Sequence, residues 1–294
     1  TSQVWYGVPR LQGDGVQDPF ATHYLGSPLV PIYQVFMVKF MVGCVARVME
    51  PGCMVKTMPV LEGPQDIFKS TFLRTLATLD GVVYFADSVG NIMDDKNAIL
   101  THGKWIIEVS ELAAIRRTDV EATKAWLSRP VDTYRPPYGR RSVDVPRQYA
   151  LAGTHNPSGV GYLKDTTGNR RYWPVPVGLI DIEGIRRDTP QLWAEAVVLY
   201  DRGRGMKWWL TDAENAMADA LTEARQVEDP WARRIDEILA GGSRFEIAEV
   251  IAGLGLPAGQ QDELAARRVA QHLARKRFIP ERGKEERTVW VKPN

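Results

Sequence analysis

The sequence has few residues suited to metal or redox chemistry. Its 294 residues include only two cysteines, Cys44 and Cys53, and four histidines. The cysteines form no Cys-x-x-Cys pair and have no histidine beside them, so a structural zinc site is not expected. They also give no sign of a disulfide framework. We therefore expect the protein to work in a reducing cytoplasm.

The sequence also lacks a strong net charge and a long uninterrupted apolar run. Lys and Arg number 37 and Asp and Glu 36, so the net charge is +1, which argues against a uniformly basic surface but allows local basic patches. The most apolar stretch, residues 35–49, contains Lys39 and Arg47. It is predicted to be too short and too charged to span a membrane, and we expect no membrane partner. The apolar fraction of 44% is typical of a folded globular protein.

Four segments are predicted along the chain. Residues 1–57 form an irregular and helical N-terminal segment, 58–212 an α/β core, 213–240 a helical linker region, and 241–294 a small C-terminal domain. In the core, short apolar runs alternate with helical stretches, which is typical of a three-layer fold with a mainly parallel sheet. The runs are Met58–Leu61, Val82–Ala86, Trp105–Val109, Tyr149–Ala152 and Tyr172–Val177. In the C-terminal domain, two helical patterns precede a charged turn and an alternating run, which predicts a winged-helix-like module.

A loop that follows the first apolar run has the features of a phosphate-binding loop. Gly63, Lys69 and Ser70 have the spacing of the pattern G-x-x-x-x-G-K-[ST] between a strand and a helix. In such a loop, backbone N–H groups cradle phosphates, the lysine balances their charge and the hydroxyl holds Mg²⁺. The second glycine of the pattern is replaced by Phe68, and Asp66 adds a negative charge inside the loop.

Polar residues at the ends of later runs extend this pattern. Glu108 lies in an apolar strand, where a Walker B carboxylate would meet Mg²⁺, or it is a solvated strand end. Asn156 follows the next strand and would orient a water, or it forms a turn before a proline. Arg170 and Arg171 open the last strand and are candidates for an arginine finger, or they are plain surface arginines.

The order of these motifs resembles the virulence-associated E (VapE-like) family. The co-linear series runs GPQ…KST, GKWIIEVSEL, KAWLSRPVDTYRPPYGR, AGTHN, LKDTTGNRRYWPV and QLWAEA, from about residue 36 to about 212. These proteins are P-loop ATPases of phages and genomic islands, related to superfamily 3 helicases and to the helicase part of primase–helicases. The resemblance implies an AAA+-like core in a homo-oligomeric ring, a hexamer, that couples ATP hydrolysis to movement along DNA. A primase is a further implied partner, and the cytoplasm of a bacterial host cell is the implied location.

The resemblance also implies roles for particular residues. ATP and Mg²⁺ are the implied cofactors, with Ser70 and Glu108 at the metal and Glu111 as a second acidic candidate. Asn156 becomes the sensor, and Arg170 or Arg171 the finger. The residues expected to hold the nucleotide are Gly63, Gln65, Lys69, Ser70 and Thr71.

The phosphate loop departs from the family pattern GPQGxGKST at both inner glycines, which here are Asp66 and Phe68. This departure leaves two interpretations open. One is an ATP-driven DNA helicase or translocase that acts in phage or island replication. The other is a DNA-binding scaffold or origin-binding protein of the same fold that does not hydrolyse ATP. A small-molecule kinase is a third class, but no acceptor pocket is apparent in the sequence.

Two basic regions are candidate DNA contacts. Residues 134–147 hold four arginines and one aspartate, and superfamily 3 helicases carry a pore hairpin at this position. Residues 264–294 hold nine basic and three acidic residues, as expected for a winged helix that docks on DNA. Each region has an alternative interpretation as a solvated charged surface. The predicted contacts are Arg135, Tyr138, Arg140, Arg141, Arg147, Arg268, Arg275 and Lys276.

Overall fold

The chain forms two compact units, Thr1–Gln226 and Val227–Asn294. The computed structural model describes residues 19–87, 99–110, 125–136, 139–156, 169–201, 205–223, 225, 231–257, 261–282 and 288–292. The predicted domain boundary at residue 241 differs from the boundary between these units, which lies between residues 226 and 227. The helix at 232–239 belongs to the C-terminal unit because Ile235 and Leu239 are part of its apolar core.

The N-terminal unit is a mixed α/β structure. The α-helices whose bounds lie within its described residues are α1 (Phe20–Leu25), α2 (Pro31–Met49), α3 (Lys69–Leu76), α4 (Ile182–Tyr200) and α5 (Asp212–Glu223). Its strands are β1 (Met58–Glu62), β2 (Thr78–Leu79), β3 (Val82–Val83), β4 (Phe85–Ala86), β5 (Ile106–Val109), β6 (Val131–Tyr134), β7 (Val143–Pro146), β8 (Ala150–His155) and β9 (Tyr172–Pro176).

Five of these strands form one parallel sheet in the order β4-β5-β8-β1-β9. Each of the five apolar runs in the sequence contributes a strand to it, which confirms the predicted parallel α/β fold. The 82–86 run differs in detail, because it divides into β3, which pairs with β2 in a short antiparallel ribbon, and β4, which joins the sheet.

Both faces of the sheet are buried, which explains why its strands are apolar runs and not alternating patterns. Leu61, Ala152 and Trp173 face one core, which also includes α1 to α4. Val60, Leu151 and Tyr172 face a second core on the other side, together with Trp126 and Leu127. Successive strand residues therefore point to opposite buried layers.

Helix α2 is the central helix of the first core and not a separate N-terminal segment. Pro31 begins it at a position where no backbone N–H is needed, and Gly52, at a φ of 86°, follows its end. By length and hydropathy it is the one described helix that is long and apolar enough to cross a membrane, but 78% of that stretch is buried inside the protein. Its two cations, Lys39 and Arg47, are also buried. The Lys39 ammonium donates to two backbone carbonyls and contacts Glu214, and Arg47 donates to the Val55 carbonyl.

The described residues of the C-terminal unit form three helices and a three-stranded antiparallel sheet. These are α6 (Ala232–Leu239), β10 (Arg244–Glu246), α7 (Ile247–Gly253), α8 (Glu263–Arg275), β11 (Ile279–Arg282) and β12 (Thr288–Val291), with the sheet order β10-β12-β11. Reciprocal hydrogen bonds between Glu246 and Glu249 cap α7, and the Asp262 carboxylate caps α8. Val250, Val269 and Leu273 are fully buried, so the predicted helical faces do form the core.

Candidate functional site

The carboxyl ends of three adjacent strands bring polar residues together at one edge of the parallel sheet. Glu62 ends β1, Glu108 lies near the end of β5, and His155 ends β8 and precedes Asn156. Glu62 and His155 are register partners across β1 and β8. The loop of residues 63–68 leaves β1 at this edge and leads into α3, which begins at Lys69.

Gly63 is required by the close packing at the start of this loop. A Cβ atom at this position would lie 2.6 Å from Ile67 Cδ1 and 2.9 Å from the Val177 carbonyl oxygen. The Gly63 N–H donates to the His155 carbonyl at 3.2 Å, which ties the loop to β8. The first glycine of the sequence pattern therefore has a steric role that does not depend on any ligand.

The loop keeps a glycine-like backbone at both positions where the side chain departs from the pattern. Asp66 has a φ of 62° and Phe68 a φ of 66°, both in the left-handed region. For a residue with a Cβ this conformation costs roughly 1–2 kcal/mol, although aspartate tolerates it better than phenylalanine. The Phe68 side chain is 61% exposed, so little burial offsets the strain.

Lys69 lies under the loop and is 7% exposed. Its ammonium donates to the carbonyls of Gly63 and Pro64 and to Asn156 Oδ1, the last at 2.9 Å. Burial lowers the pKa of Lys69, while the negative charges of Glu108 and Asp66 act in the opposite direction. The three ammonium donors thus have three oxygen acceptors, and one of them is the predicted sensor residue.

The structure brings together Ser70 and Glu108, the two residues predicted to hold the metal. The Ser70 hydroxyl donates to Glu108 Oε1 at 2.8 Å, and the Thr154 hydroxyl donates to the same oxygen at 2.6 Å. Glu108 is 2% exposed, and its second oxygen, Oε2, has no hydrogen-bond partner among the described residues. A buried carboxylate oxygen without a donor is costly, so this atom is suited to a cation or a water.

The sequence analysis missed Thr154, Glu62, His155 and Arg225. Arg225 Nε donates to Glu62 Oε1, so residues 163 positions apart meet beside the loop. Burial, assisted by the charge of Lys69, lowers the pKa of His155, while Glu62 acts to raise it. The signal available in the sequence was a polar residue at or near the end of an apolar run, which applies to Glu62, Thr154 and His155. No local pattern links Arg225 to these residues.

The other residues predicted for this site are more peripheral. Gln65 is exposed, and Thr71 lies inside the first turn of α3, where its carbonyl accepts from the Thr75 hydroxyl. Glu111 lies outside the described residues.

The two arginines predicted as fingers lie at the other edge of the sheet. Arg170 and Arg171 form a short 3₁₀ turn that precedes the amino end of β9. The five residues of β9 separate this turn from the carboxyl edge by roughly 16 Å, at about 3.3 Å per residue. Within one chain, therefore, neither arginine joins the Lys69 cluster.

The arginine-rich segment does contain an antiparallel hairpin, formed by β6 and β7. Arg135, Arg140 and Arg141 are exposed near its tip, and Arg135 Nε donates to the Gly139 carbonyl at 2.6 Å. Tyr138 lies outside the described residues.

Arg147 was wrongly assigned to the DNA contacts. It is 2% exposed, it forms an ion pair with Asp132 at 2.6 Å, and it donates to the Trp126 carbonyl. Its guanidinium also lies over the Trp126 ring, at 4.7 Å from the centroid. A buried and paired guanidinium is a structural element of the hairpin base and cannot reach DNA in this conformation.

Two basic residues predicted for DNA binding in the C-terminal unit have partners within the unit. The Arg268 guanidinium lies 3.8 Å from the Trp231 ring centroid, and the Lys276 ammonium donates to Asp236 at 2.8 Å. Nothing is described of the Arg275 side chain, although its backbone ends α8.

A family model for the virulence-associated protein E-like domain matches residues 3–227, which is most of the chain. The chain belongs to this family. The match covers the five-stranded sheet and the cluster around Lys69. The C-terminal unit follows the VapE-like domain and lies outside the match.

Comparison with other proteins adds little to this assignment. Two solved structures of the NrS-1 C-terminal region, both A-form and apo, are 11% identical to the chain; each alignment covers 95% of this chain and 79% of the other. Their TM-scores are 0.42 and 0.36, and at this level we draw no functional conclusion from them. No curated protein matches the sequence.

Proposed function

We propose that this VapE-like protein is a phage or genomic-island replication protein that hydrolyses ATP and moves along DNA. In this proposal the N-terminal unit is an AAA+-type P-loop ATPase of the superfamily 3 helicase class, and it works as a ring, a hexamer, in the cytoplasm of a bacterial host. A primase is its proposed functional partner.

The convergence of Ser70, Glu108, Lys69 and Asn156 carries this proposal. The first two are 2.8 Å apart and the last two 2.9 Å apart, at the carboxyl edge where ligands of open parallel sheets bind. The sheet order also supports it. Strand β1, which leads into the loop, pairs with β8, which precedes Asn156, and β8 pairs with β5, which carries Glu108, so the three strands that supply the site are neighbours.

The residues present fit a nucleotide with Mg²⁺. Magnesium prefers oxygen ligands and commonly takes one or two carboxylates together with substrate phosphates. The Ser70 hydroxyl and Glu108 Oε2, which has no hydrogen-bond partner in the described part of the chain, are such oxygens. Ser70 lies in the first turn of α3, an eight-residue helix whose N–H groups favour anions. When bound, Mg²⁺ would neutralise charge on the phosphates.

The chain's own residues would divide the remaining work. Lys69 would exchange its bonds to the Gly63 and Pro64 carbonyls and to Asn156 Oδ1 for phosphate oxygens, and Asn156 would then be free to orient the attacking water. Glu108, held by the Ser70 and Thr154 hydroxyls, would accept the proton of that water. Arg170 or Arg171, which is remote from the site of its own chain, would act on the site of a neighbouring subunit.

A second candidate function is a DNA-binding scaffold of the same fold that does not hydrolyse ATP. The altered loop favours it, because Asp66 places a negative charge where phosphates would lie and Phe68 adds an exposed ring. The hydrogen bonds of Lys69 to the loop carbonyls also hold the loop in a closed arrangement.

Restoring glycine at both positions separates the two functions. Asp66→Gly/Phe68→Gly should raise ATP affinity by about tenfold, since it removes one like charge near the phosphates. Phe68→Gly alone should increase the free energy of unfolding by about 1 kcal/mol by relieving strain, whereas Asp66→Gly should be nearly neutral. The measurements are nucleotide titration, thermal unfolding and DNA-stimulated phosphate release.

The outcomes of the phosphate-release assay are distinct. Turnover in the parent that Lys69→Ala abolishes would rule out the scaffold. Turnover that is absent from the parent and present in the double-glycine variant would rule out an active helicase and support the scaffold.

The exposed hairpin arginines support the DNA part of the proposal. Arg140 and Arg141 lie at the tip between β6 and β7, and in a ring such a tip would line the pore and contact the backbone of single-stranded DNA. The C-terminal unit, which we propose to be a winged-helix domain, would dock on duplex DNA through α8.

Replacing both hairpin arginines should weaken binding and change its salt dependence. Arg140→Gln/Arg141→Gln should reduce the slope of log K against log salt by about one to two units, because single-strand contacts contribute about 0.7 each. Fluorescence anisotropy with labelled single-stranded DNA measures this slope. Arg186→Gln is the matched control, since it removes an exposed arginine of α4 outside the hairpin. An equal slope in the hairpin variant and the control would remove the hairpin from the DNA interface.

A further inference from the structure

A cavity of about 450 Å³ lies at the amino edge of the parallel sheet, away from the Lys69 cluster. Lys56 and Thr57, which precede β1, and Arg170 and Arg171, which precede β9, form part of its wall. The segment 208–210 and α5 complete the wall. The volume is within the range of small-ligand sites, and the length of a strand separates it from the carboxyl edge.

The charge of the cavity favours an anion. Lys56, Arg170 and Arg171 line it, and no carboxylate is among the described residues of its wall. Two donors in this wall have no acceptor within the described part of the chain, Nε of Arg171 and Nε1 of Trp173. Trp173 is 1% exposed and its ring stacks on Phe36 at 5.3 Å, so its N–H direction is fixed. A buried donor left unsatisfied is costly, and an acceptor on a ligand would remove that cost.

The aromatic part of the wall favours a planar group beside the anion. Trp208 is held by a hydrogen bond from its indole N–H to the Met54 carbonyl and packs edge-on against Trp209 at 5.1 Å. Trp209 remains 51% exposed, and the Lys207 ammonium lies 5.7 Å from its ring centroid. A half-exposed indole that packs against a second, hydrogen-bonded indole and has several cations beside it is a stacking surface for a nucleobase.

We propose that this cavity binds one nucleotide unit, with its base stacked on Trp209 and its phosphate held by Lys56 and by Arg171, which leaves the exposed Arg170 as the candidate finger. The unit is either a free nucleotide or one residue of a single strand, since both present the same base and phosphate. This second site does not rest on ATP binding at Lys69. It also assigns ligand contacts to Lys56 and Trp209, neither of which has a role if this edge of the sheet serves only to supply an arginine finger.

Binding measurements in a Lys69→Ala background test the proposal, because this substitution weakens the site at the other edge. The chain with this substitution is titrated with ATP and with an oligothymidylate of about ten nucleotides, a length typical of single-strand sites. Trp209→Ala should weaken binding of at least one probe roughly tenfold, as expected for loss of one stacked base. Lys56→Gln should reduce the salt slope for that probe by about one unit.

Controls and probes make each outcome decisive. Arg186→Gln removes an exposed cation away from the cavity and should leave both affinities unchanged. Weakening for ATP alone identifies a free nucleotide as the ligand, and weakening for the oligonucleotide identifies a strand. Affinities for both probes that are the same in Trp209→Ala, Lys56→Gln and Arg186→Gln would overturn the proposal, as would failure of the Lys69→Ala chain to bind either probe.

Discussion

Glu108→Gln is expected to reduce ATP turnover by roughly 10²- to 10⁴-fold, the usual contribution of a general base. The amide oxygen of glutamine can still accept from the Ser70 and Thr154 hydroxyls, so the hydrogen bonds that position this side chain persist. What is lost is the negative charge of the carboxylate, which is proposed to hold the metal through Oε2 and to accept the proton of the attacking water. ATP affinity should change by only a few-fold, because Lys69, the proposed phosphate contact, is kept. Phosphate release and equilibrium nucleotide binding, measured side by side, check the two effects separately.

Two further variants make this result specific. Lys69→Ala should lose nucleotide affinity as well as turnover, because its ammonium is the proposed phosphate contact. Glu62→Gln is the matched control, since Glu62 is also a buried carboxylate at this edge but is paired with Arg225. The set is best measured in both the parent and the Asp66→Gly/Phe68→Gly chain. If Glu108→Gln and Glu62→Gln lower turnover equally, Glu108 is not the base.

Arg147→Met is expected to destabilise the N-terminal unit by about 3–5 kcal/mol, the usual effect of breaking a buried ion pair. The substitution leaves the Asp132 carboxylate buried without its cation. Among the described residues, the Tyr149 hydroxyl would still donate a hydrogen bond to it. It also removes the cation from the faces of the Trp126 and Tyr149 rings. For a unit of this size the unfolding temperature should fall by roughly 10 °C.

The double variant Arg147→Met/Asp132→Leu distinguishes the ion pair from simple loss of packing. Removing both charges should recover much of the stability, because no uncompensated charge remains in the interior. Thermal unfolding of the parent and of both variants, followed by circular dichroism, measures these effects. An Arg147→Met protein that unfolds within about 2 °C of the parent would show that the pair contributes little. DNA binding by the folded double variant should equal that of the parent, as expected for a buried residue.

Much of the fold could be predicted from local pattern. The five apolar runs each yield a strand of the sheet, because a strand buried on both faces needs a continuous apolar sequence. Errors concentrate at boundaries. The C-terminal unit begins before α6 because Ile235 and Leu239 pack within it, and a helical pattern by itself does not say which core it faces.

The candidate site could be predicted in part. Spacing identified Lys69 and Ser70, and position at a strand end identified Glu108 and Asn156, because parallel strands place their carboxyl ends at a common edge. Thr154 and Arg225 were missed because their roles depend on contacts with Glu108 and Glu62 that are distant in sequence. The assignment of Arg147 to DNA failed for a related reason, since a basic run does not reveal which of its members is buried.

The sequence by itself determined the α/β class, the order of the motifs and the residue types available for phosphate and metal chemistry. These follow from composition, period and spacing, which are local properties of the chain. Tertiary structure alone decided that Asp66 and Phe68 keep a left-handed backbone, that Arg170 and Arg171 lie at the edge away from Lys69, and that a cavity lined by tryptophan and cations adjoins them. Backbone conformation, burial and the edge of the sheet at which a residue lies depend on contacts between segments far apart in the chain, and no local pattern encodes those contacts.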